Sequence, residues 1–121
     1  PAISFRVNIP ASTVLCADDS LLRQVFVNTI KNALEAGAHS IAFDWHDSRL
    51  HISNDGQPIP PEVRRDIFIP FYTTKTSGSG IGLSLSRQIM TTHGGSLTLA
   101  DKAERGYHTT FIFDFGLGNG K

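Results

Sequence analysis

The sequence is poor in the residues on which several protein classes depend. Cys16 is its one cysteine in 121 residues, which excludes an intrachain disulfide framework and a cysteine-cluster zinc site and fits a reducing compartment. No apolar run approaches the roughly 18 residues that cross a bilayer, and no basic-then-apolar signal segment opens the chain. Net charge is lacking too. Eleven Lys and Arg balance eleven Asp and Glu, so neither nucleic acid nor an anionic membrane surface is expected as a partner. The five histidines (His39, His46, His51, His93, His108) form no pair at helical metal-ligand spacing. Neither a Gly-x-Ser-x-Gly elbow nor a Cys–His pair supplies a nucleophile. What remains is 40% apolar and 18% charged, a globular composition long enough for one core without staples. One soluble cytoplasmic domain is expected.

Residues 3–9 alternate strictly (Ile3, Phe5, Val7, Ile9 against Ser4, Arg6, Asn8) and predict a half-buried strand ended by Pro10. After Asp18 and Asp19, apolar residues at Leu22, Val25, Phe26, Ile30, Ala33 and Leu34 carry helical spacing up to Gly37. His39–Trp45 and Arg49–Ser53 read as a hairpin, Asn54–Pro61 as loop and Pro61–Ile69 as a short helix. The polar loop Thr73–Gly82 feeds a second helix over about Ile81–Thr92, stopped by Gly94-Gly95. Ser96–Ala100 and Tyr107–Phe115 close the chain as strands, followed by a frayed tail at 116–121. No repeat is present. An antiparallel or mixed sheet covered on one face by helices follows from this order.

Three segments carry chemistry. Asn28, Asn32 and Glu35 share one face of the first helix by their i, i+4, i+7 spacing. Asparagine costs a helix up to about 0.7 kcal/mol against alanine; two of them mid-helix imply a use for amides, although two solvated surface side chains would look the same. An amide oxygen is a hard ligand suited to Mg²⁺. The loop Asn54-Asp55-Gly56-Gln57-Pro58-Ile59-Pro60 leaves a strand end directly and offers a carbonyl or carboxylate to a ligand edge, or makes an ordinary turn. Gly78-Ser-Gly-Ile-Gly-Leu83 opens the second helix, where unpaired N–H groups and the helix dipole favour phosphate. It matches neither a P-loop nor the dinucleotide fingerprint, since Leu83 stands where the last glycine of the latter would fall.

The order and spacing of these segments resemble the boxes of sensor histidine kinases. Asn28-Thr-Ile-Lys-Asn32-Ala-Leu-Glu-Ala resembles the N box and Asn54-Asp-Gly-Gln-Pro-Ile-Pro60 the first glycine box. Ile67-Phe-Ile-Pro-Phe-Tyr-Thr-Thr-Lys75 resembles the F box and Gly78–Leu83 the second glycine box; Gly106-Tyr-His-Thr-Thr-Phe111 is similar to the closing strand. The resemblance covers about residues 3–115. It implies a two-layer α/β sandwich of the Bergerat type, with a mixed, mostly antiparallel sheet of about five strands against three helices. It also implies a catalytic ATP-binding domain over 1–115 with a lid at about 68–80.

By the same resemblance Asn32 ligates Mg²⁺ with Asn28 adjacent, and Lys31 and Lys75 lie near the phosphates. Glu35 lies on the ligand side of the first helix. Asn54 meets the adenine amino group, helped by Thr109 or Thr110, with Asp55 as the alternative contact and Gly56 and Ile59 completing the loop. Phe68 and Phe71 anchor the lid, Thr73, Thr74, Lys75 and Ser79 move with it, and Gly80, Ile81, Gly82 and Leu83 bring the helix start to the phosphates.

Three departures stand out. Asn54 occupies the place of the family's usual aspartate, which weakens a charge-assisted bond to a neutral one. Pro58 and His108 replace glycines. Apart from these departures, position 28, where ATP-hydrolysing members of the superfamily carry a water-activating glutamate, holds an asparagine that accepts no proton. Transfer of the γ-phosphoryl to an external nucleophile is therefore expected over hydrolysis.

The family's acceptor is a histidine followed by Glu or Asp on a dimerising helical hairpin. No histidine here fits, His46-Asp47 falling in a turn. The chain is thus expected to be a monomeric catalytic domain lacking that hairpin and unable to phosphorylate itself. Its implied partners are the hairpin of its own full-length dimer and the receiver domain of a response regulator. The alternatives are an ATPase module of the gyrase, MutL or chaperone sort, an anti-sigma-factor serine kinase, and a degenerate interaction domain that binds no nucleotide.

Overall fold

The computed structural model describes residues 3–9, 19–46, 48–69 and 82–116. Cys16 and residues 70–81, the bulk of the expected lid, lie outside them, as does the tail from 117.

Five strands, β1 (Ser4–Asn8), β2 (Ser40–His46), β3 (Arg49–Asn54), β4 (Ser96–Leu99) and β5 (Thr109–Asp114), form one sheet in the order β1-β2-β3-β5-β4. Only the β1–β2 pair is parallel; the other three are antiparallel. The helices α1 (Asp19–Glu35) and α2 (Gly82–Thr92), with a 3-10 turn at Pro61–Asp66, are the three helical segments among the described residues. The expected α/β architecture is present, with ends shifted by one or two residues.

The register assigns the two sheet faces. Ile41, Leu50, Ile52, Phe111, Phe113 and Leu97 share the face that meets the helices and join Val25 and Ala33 of α1 and Ile89 and Met90 of α2 in one buried cluster. Phe113, fully buried, receives the ring of Phe26 edge-on at 6.4 Å. Both helices end in the same way. The Ala38 N–H reaches back to the Ala33 carbonyl and the Gly95 N–H to that of Met90, with Gly37 and Gly94 supplying the positive φ such a cap requires.

One expectation is corrected. Strand β1 is not half-buried: all five of its residues are exposed, Phe5 by 53% and Val7 by 65%. Alternation does place Phe5 and Val7 on the helix-side face, beside Ile41 and Phe43. Among the described elements β1 packs mainly on β2, whereas the other edge strand, β4, lies against α2, which keeps Leu97 fully buried.

Candidate functional site

Helix α1 carries the site because one side of it meets two separate elements. At its middle, Asn28 and Asn32 face the first turn of α2: a β-carbon on Gly82 would lie 3.9 Å from both asparagine side chains. The Asn28 amide donates to the Gly82 carbonyl at 3.5 Å and to Ser86 Oγ at 3.4 Å. Asn32 donates its amide hydrogens to the Asn28 carbonyl at 3.0 Å. At its C-terminal end, Ala36 meets the loop after β3. A β-carbon on Gly56 would come within 2.9 Å of the Ala36 side chain and carbonyl, and the Gln57 N–H donates to that carbonyl at 2.8 Å. Ala36, the residue after the helix, lies eight residues from Asn28 and four from Asn32, about 12 and 6 Å at 1.5 Å per residue.

Beside Gly56 lies the end of β3. Asn54, 7% exposed, pairs in register with Thr109 of β5, 5% exposed, so both side chains stand on the helix-side face. The Asn54 side-chain oxygen accepts from the Gly56 N–H at 2.9 Å. His108 clamps this corner: its N–H donates to the Asn54 carbonyl and its Nδ1 bonds the Gly56 carbonyl, both at 2.9 Å.

Asp55 faces elsewhere. Its carboxylate accepts from the His39 and Ser40 N–H groups, each at 2.8 Å, and so ties the loop to the start of β2. Those bonds, Ser40's first, hold it below the usual carboxylate range. A depressed pKa means that its contribution to stability is complete above the unfolded value of about 3.9 and is lost as the pH falls through the lower folded value. Asp55→Asn is accordingly expected to lower stability at neutral pH and to flatten the loss of stability below about pH 4. Urea unfolding at neutral and acidic pH checks this; an unchanged acid limb would refute it.

Thr110 also faces elsewhere. Its hydroxyl bonds Ser53 Oγ and accepts from the Glu104 N–H, both at 2.8 Å, on the opposite face of the sheet. Of the two threonines, Thr109 is the one beside Asn54. Lys31 and Glu35 are exposed on α1, and Ile59 and Leu83 pack against the core. Phe68 packs edge-on to Phe111 at 6.4 Å, with the Arg87 guanidinium 4.4 Å from its ring centre. This fastens the first residue of the expected lid. Phe71, Thr73, Thr74, Lys75, Ser79, Gly80 and Ile81 lie outside the described residues.

Sequence reasoning passed over Ser86, His108 and Ala36. Ser86 was recoverable, because it stands one helical turn beyond Gly82 on the same face. His108 was visible only as a departure from a glycine, and nothing local marks Ala36.

The described His, Cys, Asp and Glu side chains form no group of three able to hold a metal. The donors offered to a cation here are amide oxygens. The Asn32 NH₂ donates to the Asn28 carbonyl, and an amide oxygen is a ligand that fits a hard cation keeping most of its waters. No described helix is long and apolar enough to cross a membrane.

The chain is similar to known proteins in sequence and in fold. A family described as Histidine kinase-, DNA gyrase B-, and HSP90-like ATPase matches residues 17–118. The chain is 38% identical over 102 residues to the signal transduction histidine-protein kinase AtoS of Escherichia coli (strain K12), covering 78% of this chain and 16% of that protein. It is 34% identical over 110 residues to sporulation kinase A of Bacillus subtilis (strain 168), covering 86% and 18%. It thus spans less than a fifth of either relative's length. Among solved structures, a nucleotide-free catalytic domain of the histidine kinase ThkA superposes with a TM-score of 0.71 at 34% identity, over 92% of this chain and 76% of that one. The mycobacterial sensor histidine kinase MprB gives 0.74 at 27% identity, over 92% and 80%.

Proposed function

The chain belongs to the histidine kinase-, DNA gyrase B- and HSP90-like ATPase family, and from that membership we propose that it is the catalytic ATP-binding domain of a sensor histidine kinase. It presents the γ-phosphoryl of ATP to a histidine on a helical hairpin of its parent protein, on the cytoplasmic side, for relay to an aspartate of a response regulator's receiver domain.

The observation that carries this reading is the use made of Asn28. Its NH₂ is turned toward Gly82 and Ser86, and an amide takes no proton from water. The residue at this position holds the start of α2 against α1, so the site positions a nucleotide without activating water. Phosphoryl transfer asks mainly for positioning and charge neutralisation. The start of α2 supplies N–H groups and a positive dipole end for phosphate. Lys31, exposed on the same helix as Asn28 and Asn32, adds a mobile positive charge. Mg²⁺, held by Asn32 with Asn28 adjacent, would neutralise phosphate oxygens. At the other end of α1, Asn54 and Thr109 face the base, and the fastening of Phe68 on Phe111 and Arg87 gives the lid a fixed root. The lid residues Phe71, Thr73, Thr74, Lys75, Ser79, Gly80 and Ile81 complete the site in this reading.

Calorimetric titration of the chain with a non-hydrolysable ATP analogue, with and without Mg²⁺, tests the proposal. Mg²⁺-dependent binding is the expected result. No heat of binding at millimolar nucleotide would overturn it in favour of an interaction domain.

A further inference from the structure

Helix α2 buries Ser86, Ile89 and Met90, and the serine is the odd one among them. It is fully buried, where a hydroxyl costs stability unless it is hydrogen-bonded, and alanine would suit a helix better. What it meets is Asn28 of α1. Ser86 Oγ accepts from the Asn28 NH₂ at 3.4 Å, and the Gly82 carbonyl, one turn earlier on α2, accepts from the same nitrogen at 3.5 Å. A carbonyl accepts and never donates, so the Gly82 contact fixes which end of the amide faces α2. Ser86 supplies an acceptor for the second amide hydrogen. One acceptor alone would let the amide rock about its side-chain torsion, which is broad for asparagine; two on successive turns hold its plane. The Asn28 oxygen, on the far side of the amide carbon, is thereby turned away from α2.

We propose that Ser86 is a positioning residue for the Mg²⁺-nucleotide: it holds Asn28 with its oxygen toward the cation's bound water, beside Asn32 one turn further along α1. Mg²⁺ keeps several of its waters when bound, and their hydrogens point outward and call for acceptors. An amide turned the other way would set its NH₂ against those hydrogens. Ser86 touches neither nucleotide nor metal and acts through Asn28 alone. This rests on the placing of Asn28 and Asn32 at Mg²⁺ in the function proposed above.

Affinity for ADP, with Mg²⁺ and with EDTA, is to be measured in the native chain, Ser86→Ala, Asn28→Ala and the double variant. Alanine is a better helix former than serine, so Ser86→Ala should fold, and its melting temperature checks that. Ser86→Ala is expected to weaken ADP binding in Mg²⁺ by about tenfold, the lower end of the loss caused by removing a group that orients a metal's ligands. Its affinity in EDTA should be unchanged. In the Asn28→Ala background the same substitution should cost nothing further, because the group it orients is gone. Full affinity of Ser86→Ala in Mg²⁺ would overturn the inference. An equal loss in Mg²⁺ and in EDTA, or an undiminished loss without Asn28, would overturn it as well, since either marks Ser86 as mere packing between the helices. A native chain that binds ADP no better with Mg²⁺ than with EDTA would overturn the Mg²⁺ site of the proposed function and this inference with it, an outcome read without any variant.

Discussion

Asn32→Ala is expected to remove Mg²⁺-dependent nucleotide binding while leaving the fold intact. Asn32 donates from its NH₂ to the Asn28 carbonyl one turn earlier and sits half-buried beside the first residue of α2. Alanine is the better helix former by up to about 0.7 kcal/mol, which offsets much of the lost bond, so the melting temperature should move little. Affinity should not survive as well. Loss of a partner one step removed from a metal ion costs about 10–100-fold, and loss of the ligand oxygen should exceed that. Titration with ADP and Mg²⁺ should therefore show no binding for Asn32→Ala, and the Mg²⁺ dependence seen for the native chain should vanish. Full affinity in this variant would remove Asn32 from the site. Asn32→Asp serves as the companion, since it keeps the oxygen and adds charge.

The second large effect falls on stability. Gly95→Ala is expected to destabilise the domain by more than the 1–3 kcal/mol typical of an overpacked side chain. A β-carbon at position 95 would lie 2.0 Å from the Asp114 carbonyl oxygen. That obstacle is sheet backbone at the end of β5, paired with Arg49 and Ser96, and cannot rotate away as a side chain tip would. The β4–β5 ladder or the end of α2 must shift instead. The neighbouring Gly94 is the control. Its φ of +80° strains an alanine, but no atom lies within 4 Å of the position, so Gly94→Ala should cost about 1 kcal/mol. Urea unfolding of the two variants measures the difference; equal losses would show that the β4–β5 backbone yields to a β-carbon at position 95 and would refute the close approach as a large cost.

Local pattern made much of the fold legible. The strands β2, β3, β4 and β5 and both helices fall within a residue or two of where apolar period and glycine stops predict them, because each signal is produced by neighbours in the chain. Burial of β1 was not legible. Its alternation is as regular as that of β5, yet alternation states only which residues share a face; whether that face is covered depends on what packs over it, as α2 does over the edge strand β4 and no described helix does substantially over β1. At the site, residue type and spacing left Asn28, Asn32 and Asn54 open to ordinary surface and turn readings, and the resemblance to the family's boxes singled them out. Spacing could not separate Thr109 from Thr110, or Asn54 from Asp55. Adjacent residues of a strand point to opposite faces, and the Asn54–Thr109 register decides which threonine stands beside Asn54.

The amino-acid sequence by itself determined the family, the order of the elements and the amides available for nucleotide chemistry, since these depend on residue type and on distances along the chain. The tertiary structure alone decided how those amides are turned. Asn28 is oriented by Gly82 and Ser86, 54 and 58 residues away. The loop that orients Asn54 through Gly56 is held in turn by Ala36, His39, Ser40 and His108. An amide presents a donor on one side and an acceptor on the other, so which of them a ligand meets depends on partners that only the folded chain brings near.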